Sequence, residues 1–149
     1  MVRNGFGKIL VAFDGSPDSM KAVKRATALA ESGASLTLVH VYSIPSLAYG
    51  GPGPMPLLDY KSLEDSARTK AREVLMRGEE ACKQEGVTAK AELLEASSIV
   101  QAILEFAQKE GTDLIVMGTR GMTGFKKLLL GSVSDGVVAH ASCAVLVVR

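Results

Sequence analysis

The sequence predicts an α/β fold, an open five-stranded parallel sheet with helices on both faces. Two observations carry this. Short apolar runs without polar alternation recur along the chain, as strands buried on both faces do. Segments with apolar residues three and four apart separate them, so each connection reads as a helical crossover between parallel strands. The 149 residues, 47% apolar and 22% charged, match one domain at about 100 to 200 residues per domain. One domain spanning 1–149 is therefore expected.

Taken in order, the first strand is the run Lys8 to Phe13, closed by Asp14-Gly15-Ser16-Pro17. Pro17 suits the first position of a helix with Ser16 as its N-cap. Ala22, Val23, Ala26, Leu29 and Ala30 then share one face before Gly33 ends the helix. The second strand is Leu36 to Tyr42. Ser43 to Asp59 follows as one long loop, because Pro45, Gly50, Gly51, Pro52, Gly53, Pro54 and Pro56 exclude a regular element. Such a loop is either a connector or a flap over a site or a partner.

From Tyr60 to Gly86, Leu63, Ala67, Ala71, Val74, Leu75 and Cys82 mark a long amphipathic helix. Ala89 to Leu94 is a weaker strand. Ser98 caps a helix that buries Ile99 or Val100, with Ile103, Leu104 and Ala107, and ends near Gly111. Leu114 to Met117 is the fourth strand, a short helix opens at Gly131-Ser132, and Ala144 to Val148 is the fifth strand.

Lysine and arginine total 17 against 16 acidic residues, for a net charge of +1. That balance gives no broad positive field for nucleic acid or anionic lipid. The opening residues lack the apolar stretch of a signal peptide, and no run approaches the roughly 18 apolar residues of a membrane span. A cytoplasmic protein is expected. Cys82 and Cys143 show neither disulfide nor zinc spacing and read as small core residues.

In such a sheet, ligands bind beyond the C-terminal ends of the strands where strand order reverses. With order 3-2-1-4-5, a Rossmann-like arrangement, the loops that meet there carry Asp14-Gly15-Ser16 and Gly118-Thr119-Arg120-Gly121. The fourth strand runs straight into Gly118, then Gly121, and after nine intervening residues reaches Gly131-Ser132 at a helix start. Glycines let backbone N–H groups approach an anion, and the helix start and the Ser132 hydroxyl add donors. Arg120, Lys126 and Lys127 bring positive charge. A Cβ at Gly118 is expected to face the phosphates, so that Gly118→Val abolishes binding while the fold survives. The loop is neither a Walker A sequence nor a G-x-G-x-x-G fingerprint. Asp14 is expected to be freer than Ser16, while His40 and His140 read as structural.

On these residues the chain resembles the universal stress protein family, in its ATP-binding branch. Asp14 closing the first strand, Val41 in the second, and the spacing G-x2-G-x9-G-[ST] at Gly118, Gly121, Gly131 and Ser132 carry the resemblance, which covers almost the whole chain. It implies that Gly118, Gly121, Gly131 and Ser132, with Arg120 and the Val133 backbone, hold the phosphates. Val41 and the segment around Ala12 and Phe13 then flank the adenine, Met117 is a further nucleotide-binding residue, and Asp14 lies near the ribose or a magnesium ion carried by the phosphates. Glu95-Ala96-Ser97-Ser98 departs from the Gly and Pro common in the family at that turn. ATP with Mg²⁺ is the implied ligand, stress regulation the implied role, and a homodimer through the last strand the implied assembly.

Two other readings compete. Asp14-Gly15-Ser16-Pro17-Asp18-Ser19 looks somewhat like the S-G-G-x-D-S loop of ATP pyrophosphatases, but Asp14 and Ser16 replace its serine and glycine. A nucleotide-free dimeric interaction module conflicts with the intact glycine pattern. The loop from Gly118 to Ser132 holds no evident group to align a water, so at most slow ATP hydrolysis is expected.

Overall fold

The computed structural model describes residues 5–44, 57–119 and 130–149. Its elements alternate as β1 (Lys8–Ala12), α1 (Pro17–Ala30), β2 (Ser35–Tyr42), α2 (Leu57–Gln84), β3 (Lys90–Glu95), α3 (Ile99–Glu110), β4 (Leu114–Gly118), α4 (Ser132–His140) and β5 (Ala144–Val148). All neighbouring strands pair in parallel, in the order β3-β2-β1-β4-β5.

Apolar side chains on the two faces of the sheet form two cores. Ile9, Val11, Phe13, Leu38 and Val116 pack with Ala22, Val23 and Ala26 of α1 and with Leu75 and Cys82 of α2. On the other face Leu10, Val39, Val41, Ile115 and Met117 pack with Ile103 and Ala107 of α3 and Val137 of α4. The strands read as continuous apolar runs because alternate residues serve opposite cores. Edge strand β3 is only half-buried along its length, which explains its weaker signal.

Ser16 caps α1 by accepting the Ser19 N–H, with Pro17 at the first position, and Ser98 caps α3 by accepting the Gln101 N–H. Three sequence expectations shift. Leu29 is exposed, because the buried stripe of α1 runs through Ser19, Ala22, Val23, Ala26, Thr27 and Ala30, and spacing alone fits either Leu29 or Ala30 after Ala26. Ile99 is exposed while Val100 packs on the α3–α4 core, which resolves that pair, and Leu63 of α2 is exposed as well. Helix α2 begins at Leu57, so the long loop ends three residues earlier than its composition implied. Nothing in Leu57-Leu58-Asp59 opposes helix once Pro56 is passed. Residues 45–56 of that loop lie outside the described residues.

Cys82 is buried, whereas Cys143 is half-buried at the margin of the α3–α4 core rather than within it. Burial, with a smaller contribution from Glu79, pushes the Cys82 thiol up to about 11. With 0% exposure it is a packing group of the α1–α2 core. Among the described residues no helix is long and apolar enough to cross a membrane.

Candidate functional site

Between β1 and β4 the strand order reverses, and the crevice beyond their C-terminal ends is where this class of sheet receives ligands. Its β1 side is a tight, internally bonded turn. The Asp14 Oδ1 accepts the Ser16 N–H at 2.9 Å, and the Ser16 Oγ accepts the Ser19 N–H at 3.2 Å. Gly15 between them has φ of +80°, a conformation that a Cβ would strain. Asp14 is half-buried with one carboxylate oxygen engaged by its own turn, whereas Ser16 is buried at 1% exposure and serves as the cap, so Asp14 is the freer of the two side chains. Because two N–H donors of this helix start, those of Ser16 and Ser19, are committed to Asp14 and Ser16, the turn is less suited to cradle a pyrophosphate.

The β4 side is built differently. Gly118 does not have positive φ, and a Cβ there would stand 2.7 Å from the Asp18 Cβ, 2.8 Å from the Asp18 carbonyl carbon and 3.0 Å from the Ser19 N. Glycine is required here by packing alone, because the first turn of α1 lies against the end of β4. The expectation that Gly118→Val spares the fold is corrected accordingly.

Thr119 follows, buried at 4% exposure. Its N–H donates to the Val148 carbonyl at 2.9 Å, and its hydroxyl donates to Asp18 Oδ2 at 2.8 Å. Its carbonyl accepts the Gly131 N–H at 2.6 Å and the Ser134 hydroxyl at 2.8 Å. Sequence reading missed this junction of Thr119, Asp18 and Ser134. A threonine after a strand and an acid in a first turn carry no spacing signal that joins positions so far apart.

Helix α4 starts from Gly131, which makes no side-chain cap hydrogen bond. Ser132 is its first residue and is exposed, so its hydroxyl does not serve as the N-cap. A helix start of this kind presents backbone N–H groups and the positive end of the dipole.

Of the other expected site residues, Ala12, Val41, Met117 and Val133 meet in the α3–α4 core, so the exits of β1, β2 and β4 and the start of α4 share one apolar wall. Phe13 parts from them. Its ring is buried in the α1–α2 core and only its backbone reaches the strand ends, where its carbonyl accepts the His40 Nδ1–H at 2.8 Å. Arg120 and Gly121, with Lys126 and Lys127, lie outside the described residues. His140 Nδ1–H donates to the Gly136 carbonyl at 3.0 Å, a helix-end contact. Among the described residues no group of three or more His, Cys, Asp or Glu side chains is placed to hold a metal ion.

Residues 5–149 match the Universal stress protein family. The chain belongs to that family. A universal stress protein of Thermus aquaticus is 39% identical over 97% of this chain and 99% of its own length. One from Methanocaldococcus jannaschii is 34% identical over all of this chain and 87% of its own length. Among solved structures, universal stress protein UspA from Lactobacillus plantarum superposes with a TM-score of 0.81 at 25% identity, covering 99% of this chain and 100% of that one. More distant universal stress proteins, at 24% and 20% identity, were solved in complex with cAMP and with dAMP, and at that distance the likeness concerns the fold.

Proposed function

We propose that this universal stress protein, as one domain spanning 1–149, holds ATP across the crevice between β1 and β4 and signals through nucleotide-dependent conformation or association in the stress response. The observation that carries the reading is the start of α4: a helix N-terminus with no side-chain cap and an exposed Ser132 hydroxyl, beside the exit of β4 at the switch point. Those donors suit phosphate oxygens. The apolar wall of Ala12, Val41, Met117 and Val133 suits the base, and the nucleotide complexes of distant members of the fold support placing such a ligand here. Gly118 and Gly131 serve as the stems of the phosphate loop, with Arg120 and Gly121 between them. Mg²⁺ is carried by the phosphates and their waters, a common mode for this ion, with Asp14 the carboxylate at that edge.

The test is calorimetric titration of the full chain with ATP, with and without Mg²⁺, and with AMP and cAMP. Saturable binding of ATP that weakens in Ser132→Ala supports the reading. No binding of any of these nucleotides overturns it in favour of the nucleotide-free interaction module. ATP is a bound signal rather than a consumed substrate. Phosphate release should fall far below about 1 per second, the low end of ordinary enzyme turnover. Turnover near that value, lost in Asp14→Asn, would make the protein an enzyme.

The assembly proposed is a cytoplasmic homodimer through β5. That strand is a sheet edge. Val145 and Val147 pack on the α3–α4 core, and Leu146 and Val148 on the other. Both faces of β5 are therefore served by the chain's own helices, and what it offers a second copy is its open edge. Sedimentation that finds only monomer at high concentration would overturn this assembly.

A further inference from the structure

We propose that Thr119 is a positioning residue of the nucleotide site: it ties the two stems of the phosphate loop to α1 and to β5, and so fixes where the first amides of α4 point. The inference rests on the nucleotide reading above, but its geometry stands apart from it. At 4% exposure Thr119 is too buried to bind a ligand with its side chain. Every polar atom it has is committed inward: N–H to Val148, hydroxyl to Asp18, carbonyl to Gly131 and Ser134. A carbonyl oxygen has two lone pairs, and both have a donor here.

The geometry has two effects on the crevice. Because the carbonyl of one stem accepts the amide of the other, the chain that leaves the sheet at Thr119 must return to the same point at Gly131, 2.6 Å away. The amides that follow, those of Ser132 and Val133, then begin α4 at a set distance from the end of β4. The Ser134 hydroxyl, 2.8 Å from the Thr119 carbonyl and 3.0 Å from that of Gly131, pins the first turn of the helix to both stems.

The hydroxyl of Thr119 adds the third anchor. It holds Asp18 Oδ2 at 2.8 Å, while the Asp18 Oδ1 lies 3.9 Å from Lys21 Nζ. The carboxylate of α1 nearest β4 is thereby turned toward protein donors. A hydrogen bond to an ionised acceptor is stronger than one between neutral groups, so this bond orients Thr119 as firmly as it orients Asp18. Threonine satisfies both demands because its methyl fills a buried position while its hydroxyl reaches the acid.

The test uses the full chain as wild type, Thr119→Ser, Thr119→Val, Asp18→Ala and the Thr119→Val/Asp18→Ala double variant. Two quantities are measured: affinity for Mg-ATP, and amide hydrogen exchange across 131–134 without nucleotide. Thr119→Ser should stay near wild type. Thr119→Val and Asp18→Ala should each bind about 10-fold more weakly, as loss of one charge-assisted hydrogen bond predicts. The double variant should be little weaker than either alone, because both remove the same bond. Exchange at 131–134 should quicken in all three. Folded Thr119→Val that binds as wild type overturns the proposal, as does a lowered melting temperature with unchanged affinity, which is what a purely structural role gives. If wild type binds no nucleotide, the reading of the site fails, and exchange alone decides this inference: unchanged protection at 131–134 in Thr119→Val overturns it. Asp18→Ala and Thr119→Ser carry the comparison if Thr119→Val fails to fold.

Discussion

Helices α1 and α4 start at the same edge of the sheet, one beside each strand of the central pair, and they are finished in opposite ways. The start of α1 is closed: Ser16 caps it by accepting the Ser19 N–H, and Asp14 takes the Ser16 N–H. The start of α4 has glycine at the cap and its serine one place later, exposed. Two helix N-termini side by side are two potential anion sites by dipole alone. Chemistry at the cap separates them, and in the proposed reading the closed one acts as wall while the open one acts as cradle.

The largest effect in this comparison should come from joining the two starts badly. Gly118→Val forces branched carbons onto the Asp18 and Ser19 backbone, where no flexible side-chain end can give way. A loss of about 3 kcal/mol or more is expected, at the upper range of overpacking, read by urea denaturation, with nucleotide binding lost as a consequence. A Gly118→Val protein of wild-type stability would mean that α1 does not sit on β4 as described.

Next in size is Ser132→Ala. Because the hydroxyl is exposed and caps nothing, stability should change by less than about 0.5 kcal/mol. ATP affinity should fall by about 1.5 to 3 kcal/mol, the range for a hydrogen bond to a charged group. Equal affinity in the two proteins would remove Ser132 from the cradle.

Ser16→Ala is the mirror experiment. Its N-cap bond should cost about 1 kcal/mol of stability when removed, and ATP affinity should hold within about twofold. If affinity falls as steeply as in Ser132→Ala, the closed start is part of the site and the contrast between the helices collapses. The smallest effect is expected for Val138→Ser: this α4 side chain is exposed, so stability should stay within about 0.5 kcal/mol and affinity should not change. A large loss would mean that the outer face of α4 is covered in solution.

The alternation of strands and helices was legible because a doubly covered parallel sheet imposes continuous apolar runs, and Ser16, Pro17, Ser98 and Gly111 mark helix ends by local chemistry. Helix faces were less so. Leu29 and Ala30 satisfy the same spacing, and the polar Thr27 lies buried on the stripe of α1 that faces the sheet. At the site, the pattern of glycines did not reveal the packing reason for Gly118. Whether a glycine serves a ligand or a neighbouring helix depends on what stands against it, and Asp18 is a hundred residues away in the chain. Thr119 was invisible for the same cause: its partners come from three separate elements, Asp18 from α1, Gly131 and Ser134 from α4 and its cap, and Val148 from β5.

The seam between β1 and β4 pairs Ile9 with Leu114 and Val11 with Val116, a contact between widely separated stretches of chain. Closing so long a loop is entropically costly, and non-local parallel pairing is slow. A ligand that spans the seam has both of its walls only in chains that have completed that pairing. It would therefore act less on how fast the protein folds than on how rarely it comes apart, lengthening the lifetime of the native state by slowing the opening of the one joint it bridges.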